Sequence, residues 1–216
     1  MGNTTRLKIT EIFHSIQGES NTVGIPTVFI RLTGCPLRCH YCDTAYAFSG
    51  GRNVELNEVM RQVEDYGTPY VTVTGGEPLA QKNCLHLLTR LCDQGYKVSL
   101  ETSGAMDISH VDRRVITVMD IKTPASGEQA KNLWANLAHI KPGDQIKFVL
   151  CDRADYDWAC SVVRDHNLSD KAEVLFSPAY EQLNAVQLAE WILQDRLPVR
   201  FQLQLHKVLW GNQPGH

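Results

Sequence analysis

Gly34-Cys-Pro-Leu-Arg-Cys-His-Tyr-Cys-Asp-Thr44 places cysteines at 35, 39 and 42 within one short segment. A soft-metal site made by a protein is usually closed by four ligands, and this stretch offers three thiolates. Pro36, Arg38 and His40 between them are not core residues, which argues against three inert buried thiols. A structural zinc ion would need a fourth ligand. His40 is too cramped between two of the cysteines to reach the same ion, and no second CxxC follows. A thioredoxin-type CxxC does not call for a third cysteine four residues earlier. Attachment of c-type haem needs CxxCH, whereas Cys42 is followed by Asp43. What remains is an iron-sulfur cube held by thiolates, with three protein ligands and one iron left open.

Around this stretch the chain alternates short apolar runs with amphipathic segments from about residue 28 onward, the pattern of successive β-α units on a mainly parallel sheet. Strands are predicted at Val28–Leu32, Tyr70–Thr74, Val98–Glu101, Val115–Asp120, Gln145–Leu150, Ala172–Phe176 and Val199–Leu205. Helices are predicted at Asn57–Tyr66, around Leu85–Cys92, and at Lys131–His139, Tyr156–His166 and Leu183–Gln194. A parallel sheet gathers its chemistry where strands end and helices begin. Cys35 follows the first strand of the alternation, Gly75-Gly-Glu-Pro78 the second, Glu101-Thr-Ser-Gly104 the third, Asp120-Ile-Lys122 the fourth and Ser177-Pro-Ala-Tyr180 the sixth. One rim is therefore loaded with polar residues. With no repeat, low-complexity tract or linker, residues 1–216 read as a single domain.

The composition is that of an ordinary globular protein, 43% hydrophobic and 21% charged. A net charge of −3 gives no basic stripe for phosphates, so no nucleic-acid partner is expected. No stretch approaches the length needed to span a bilayer and the amino terminus lacks an apolar signal region, so a cytoplasmic protein without a membrane partner is expected. Cys84, Cys92, Cys151 and Cys160 are scattered and read as plain thiols.

The CxxxCxxC spacing resembles that of the radical S-adenosylmethionine enzymes, and Gly75-Gly-Glu-Pro78 matches their second signature. The resemblance implies an incomplete, TIM-like α/β barrel. It also implies a 4Fe-4S cluster on Cys35, Cys39 and Cys42 whose open iron is chelated by the amino and carboxylate groups of S-adenosylmethionine. One-electron cleavage of that cofactor then yields a 5′-deoxyadenosyl radical. Phe13-His-Ser-Ile-Gln-Gly-Glu19, Gly24-Ile-Pro26, Phe29 to Cys35, Cys42-Asp-Thr44, Glu101-Thr-Ser-Gly104, Asp120-Ile-Lys122 and Gln204-Leu-His-Lys207 narrow the resemblance. Together they are similar to the 7-carboxy-7-deazaguanine synthase family, from about residue 9 to the end.

That family acts as a carbon-nitrogen lyase on 6-carboxy-5,6,7,8-tetrahydropterin, with no conventional general acid or base. Carried over by resemblance, Ile16, Gln17, Gly18, Glu19, Arg31 and Thr74 surround the substrate. Gln17 can offer donor and acceptor to an aminopyrimidinone edge, Glu19 can accept from its N–H groups, and Arg31 can fork onto a carboxylate. Arg31 lies in an apolar run, where burial without a partner is costly, so a polar cavity is expected beside it. His206, read in the polar phase of a strand with Gln202 and Gln204, and His216 at the carboxy terminus are further substrate candidates.

The same resemblance implies a cofactor-binding set of Tyr41, Cys42, Asp43, Gly75, Gly76, Glu77, Glu101, Ser103, Asp120, Ile121, Lys122, Ser177, Pro178, Ala179 and Tyr180. The glycines are expected to let the backbone approach the ligand, and Glu77 to accept from its ammonium group. Thr44 matches a Mg²⁺-binding position. A flavodoxin-like one-electron donor and a homodimer are also implied. Ser20 departs from the glycine expected after Gln-Gly-Glu. Rival readings are a glycyl-radical activating enzyme, against which the polar Gln17, Glu19 and Arg31 set argues, and a non-catalytic zinc module.

Overall fold

The computed structural model describes residues 5–213 and 215. Nine strands form one open sheet in the order β3-β1-β2-β4-β5-β6-β7-β8-β9. β1 (Arg6–Ile16) pairs antiparallel with β2 (Pro26–Leu32) on one side and β3 (Arg52–Glu55) on the other. From β2 onward every pairing is parallel, through β4 (Tyr70–Gly75), β5 (Lys97–Thr102), β6 (Ile116–Asp120), β7 (Gln145–Leu150), β8 (Glu173–Pro178) and the short β9 (Arg200–Phe201). The helices are α1 (Leu56–Asp65), α2 (Cys84–Asp93), α3 (Arg153–Asp165), α4 (Leu168–Lys171), α5 (Ala185–Asp195) and α6 (Leu205–Trp210). None of the described helices is long and apolar enough to cross a membrane.

Strand alternation decides which face is core and which is cavity. On β7, Ile146, Phe148 and Leu150 are fully buried and pack with Tyr156 and Val163 of α3 and Leu188 and Ile192 of α5, whereas Lys147 and Val149 face a cavity. On β4 and β5, Val71, Val73, Val98 and Leu100 pack with Leu87, Leu88 and Leu91 of α2. Glu101 and Thr74 turn to the other side. α1 buries Leu56, Val59, Met60 and Val63 at helical spacing, and the chain leaves it at Gly67, whose φ of +65° suits glycine. Asp152 caps α3 by accepting from the Asp155 amide, and Asn184 caps α5.

The structure departs from the expected elements at four places. The helix expected at Lys131–His139 is a pair of 3₁₀ turns, Gln129–Lys131 and Trp134–Ala138. Asn132 bonds both backbone groups of Lys122, and Asn136 bonds Ile108 N and the carbonyls of Gly104 and Met106. Those side chains compete with regular helix geometry. The strand expected at Val199–Leu205 stops at Phe201. Gln202 donates one more ladder-like bond to Phe176 O, then the chain turns across the cavity mouth, where Leu205 N meets Gly18 O, and continues as α6. The helix expected from Asn57 begins one residue earlier, at Leu56. β1 and β3 were not expected, although Leu7 and Ile9 alternate with Arg6 and Lys8.

Candidate active site

The carboxyl ends of β2 and of β4 to β7, with the loop after β8, surround a cavity of about 460 Å³. Its wall carries Cys35, Cys39, Cys42, Gln17, Glu19 and Arg31, with Glu101, Asp120 and Lys122 from strand ends and Lys147 from the middle of β7. Of the sequence-predicted residues it also gathers Ile16, Gly18, Tyr41, Asp43, Thr44, Thr74, Gly75, Gly76, Ser103, Ala179, Tyr180 and His206.

The cysteine loop is fastened at both ends. Gly34, at φ +100°, donates to Ala47 O and accepts from the amide of Glu77 at 2.7 Å, while Gly76 N reaches Leu32 O. A Cβ on Gly76 would overlap the Gly34 carbonyl, and one on Gly75 would stand 2.6 Å from Leu32 O. Close backbone packing against the end of β2 and the cysteine loop thus requires glycine at both positions, which also line the cavity. Farther along, His40 N donates to Ser126 O, Arg38 N donates to Glu128, and the Arg38 guanidinium covers Phe48 at 4.3 Å.

The three thiols are only partly buried, yet burial raises all of them, Cys39 to about 11. Holding iron therefore means displacing protons. Leu37 N points at Cys35 Sγ at 3.4 Å, the kind of amide contact that supports a thiolate. Among the described residues no three His, Cys, Asp or Glu side chains surround a single-ion position. Three separated thiolates on one cavity wall suit a cluster whose irons are ligated one by one better than a lone zinc.

Glu77 does not reach the cavity. It is fully buried and its carboxylate accepts from Leu79 N, Thr102 Oγ1, Ser103 N and Ser103 Oγ, the last two at 2.7 and 2.5 Å. Its lone pairs are spent on joining the β4 and β5 ends, so the expected acceptor for an ammonium group is instead a structural clamp. Ile121, Ser177 and Pro178 are likewise behind the wall. Ile121 packs in the core and the Ser177 hydroxyl donates to Gln202 O. His216 lies outside the described residues.

At the base of the cavity, Gln17 Nε2 donates to Thr72 Oγ1 at 3.1 Å and to Glu101 Oε1 at 3.3 Å, and its Oε1 accepts from Glu19 N. Thr74 Oγ1 donates to the other oxygen of Glu101. Glu101, expected with the cofactor residues, is therefore bonded to two side chains expected around the substrate. Glu19 pairs with Lys147 through Oε2 and accepts from Gln204 through Oε1 at 2.8 Å. Burial would raise the Glu19 carboxyl, but attraction to Lys147 and His206 outweighs it and the pKa falls. Burial, reinforced by the charge of Glu19, raises Glu101. Two carboxyls on one wall are thus pushed apart.

Arg31 is 14% exposed and faces the cavity, as expected of it. Its Nε donates to Glu11 Oε1 at 2.6 Å, where the Tyr46 hydroxyl also donates, and no bond of its terminal nitrogens occurs among the described residues. Lys122 is buried against Asp120 Oδ2 at 2.9 Å. Asp120 Oδ1 and the Tyr41 hydroxyl are buried without a partner among the described residues. Such orphan atoms suit a polar ligand such as S-adenosylmethionine.

At the mouth, Thr44 Oγ1 donates to Asp43 Oδ1, and Lys207 stands beside Asp43 Oδ2. His206 lines the cavity from α6, not from a strand, and packs so tightly on Gly18 that a Cβ there would overlap its ring. Ser20 adopts φ +66°, the left-handed conformation that explains the expected glycine, and shares a hydroxyl contact with Thr22.

Lys147 and Glu11 were not singled out, and Gln204 and Lys207 were read only as parts of the closing Gln204-Leu-His-Lys207 run. A lysine inside Gln145-Ile-Lys-Phe-Val-Leu150 is as costly to bury as Arg31 in its own apolar run, so the same argument could have found it. Glu11 follows from the β1–β2 register, which places it opposite Arg31.

The Radical SAM superfamily profile matches residues 29–116. A 7-carboxy-7-deazaguanine synthase from Chlorobaculum tepidum is 46% identical, with 98% of this chain and 97% of that protein covered. A second so named, from Koribacter versatilis, is 42% identical over 94% of this chain and 97% of its own. The crystal structure of QueE from Escherichia coli superposes with a TM-score of 0.78 over 93% of this chain and 95% of its own, at 20% identity, a likeness of fold. With its cysteine loop, its open barrel and relatives matched nearly end to end, the chain belongs to the 7-carboxy-7-deazaguanine synthase family of the radical SAM superfamily.

Proposed function

We propose that this chain is a carbon-nitrogen lyase that converts 6-carboxy-5,6,7,8-tetrahydropterin to 7-carboxy-7-deazaguanine with loss of ammonia, the precursor of queuosine and other deazapurines. The observation that carries this reading is one cavity lined by three cysteines, by a hydrogen-bonded polar set of Gln17, Glu19, Thr74 and Glu101, and by Arg31. Bound together in this cavity, a 4Fe-4S cluster and S-adenosylmethionine would supply the one-electron radical chemistry needed for hydrogen abstraction from the substrate.

The protein orients and shields. Cys35, Cys39 and Cys42 would hold the cluster, and Tyr41, Asp120 and Lys122 would meet polar groups of the cofactor. The terminal nitrogens of Arg31 fit a substrate carboxylate, and Gln17 and Glu19 fit the N–H groups of a pterin. Thr44 with Asp43 offers hard oxygen donors at the mouth, supporting Mg²⁺ there with water completing its shell. Family resemblance supports a flavodoxin-like electron donor and a homodimer.

The test is anaerobic reconstitution, then incubation of the reduced protein with S-adenosylmethionine and the carboxylated tetrahydropterin. About four irons per chain, with 5′-deoxyadenosine and the deazaguanine product formed together, is the expected result. 5′-Deoxyadenosine without consumption of the pterin would refute the substrate, and an air-stable, zinc-loaded protein would refute the chemistry.

A further inference from the structure

Lys147 projects from the middle of β7 into the cavity, with its side chain 11% exposed, and it pairs with Glu19, itself 15% exposed. The only hydrogen bond of its ammonium among the described residues goes to Glu19, which leaves two N–H groups for the cavity. Glu19 uses one lone pair on Lys147 and one on Gln204, so acceptor sites remain on the same carboxylate. The cavity wall therefore presents a cationic donor directly beside an anionic acceptor. The Gln204 bond and the Gln17–Glu19 contact hold that arrangement in place.

A donor next to an acceptor is the complement of a lactam edge, in which a ring carbonyl stands beside a ring N–H. Arg31, the carboxylate candidate, lies on β2, and β4, β5 and β6 separate it from β7. A ligand whose carboxylate engages Arg31 would thus turn its far end toward Lys147. We propose that Lys147 and Glu19 together form a specificity site that reads the lactam edge of the substrate, Lys147 donating to the ring carbonyl and Glu19 accepting from the neighbouring N–H. This rests on the pterin reading above and extends it, since a buried counter-charge for Glu19 would by itself discriminate nothing.

The test is equilibrium binding to reconstituted protein loaded with S-adenosylmethionine, followed by ligand fluorescence. The two probes are 6-carboxypterin, which keeps the lactam, and 2,4-diaminopteridine-6-carboxylate, which replaces it with an amidine. Wild type is expected to prefer the lactam by about 100-fold. Lys147→Met should weaken 6-carboxypterin by about 30-fold while changing the diamino ligand less than about threefold, and Lys147→Arg should recover part of the loss.

Because Lys147→Met leaves a buried carboxylate unpaired, the double variant Glu19→Gln with Lys147→Met removes both charges and guards against misfolding. It too should lose the preference, with iron content kept. Equal weakening of both ligands, or a preference retained in either variant, would overturn the lactam site and leave the pterin reading standing. Failure of wild type to bind either pteridine would overturn the substrate assignment and this site with it.

Discussion

Lys207 Nζ stands 3.4 Å from Asp43 Oδ2, so the helix that follows the last strand is tied to the residues just after the cysteine triplet. Asp43 is only partly shielded, which discounts the pair energetically. Its importance lies in closing the cavity mouth, where Leu205 N also meets Gly18 O. Lys207→Met should leave iron content unchanged while 5′-deoxyadenosine formation with substrate falls about tenfold. Loss of iron in this variant would mean that α6 supports the cluster loop itself.

Gly76 touches the cysteine loop through backbone alone, and a Cβ there has no flexible side chain to push aside. Gly76→Ala should displace Gly34 and Cys35 together. The expected outcome is a protein that reconstitutes with well under half the iron of wild type, measured by iron and sulfide assay. Normal loading would show that the loop shifts without losing its cluster geometry.

Glu77 is a second test of the same wall, with a stability readout. Removing a buried carboxylate that serves four donors leaves amides and hydroxyls unsatisfied. Glu77→Ala should cost about 3 kcal/mol or more, lowering the melting temperature by about 6 °C or more. Glu77→Gln should cost less, because it keeps part of the acceptor set. A neutral Glu77→Ala would contradict the clamp.

Arg31 divides its work between Glu11 and the cavity. Arg31→Met should weaken 6-carboxypterin by about 100-fold with iron content unchanged. Arg31→Lys should restore little, because one ammonium cannot both pair with Glu11 and fork onto a carboxylate. Full recovery in the lysine variant would remove the bidentate role.

The two carboxyls respond to pH in opposite senses. Burial and the charge of Glu19 raise Glu101, so the folded state holds that proton more tightly, and stability falls as pH rises from the unfolded value near 4.5 through the folded one. Glu19 is lowered because attraction to Lys147 and His206 exceeds the cost of burial. Its contribution is present above the unfolded value and is lost as pH falls through the folded one. Glu101→Gln should therefore gain stability relative to wild type as pH is raised from about 4 to about 8, measured by urea unfolding. A constant difference across that range would contradict a raised Glu101.

The family, the parallel β-α order and the loaded rim were legible in the chain because they rest on local patterns. These are cysteine spacing, strand-length apolar runs and polar clusters placed just after them. Sequence by itself thus determined that Cys35, Cys39 and Cys42 share one loop, and that Arg31 must find a polar partner or a cavity. Only the tertiary structure decided that Glu77 turns inward to clamp two strand ends, that backbone packing on β2 and the cysteine loop leaves no room for a Cβ at Gly75 and Gly76, and that Lys147 joins Glu19 from 128 positions away. The physical reason is that a side chain's partners depend on register and on strand order. Both are settled by packing the sheet as a whole and are not written in any single segment.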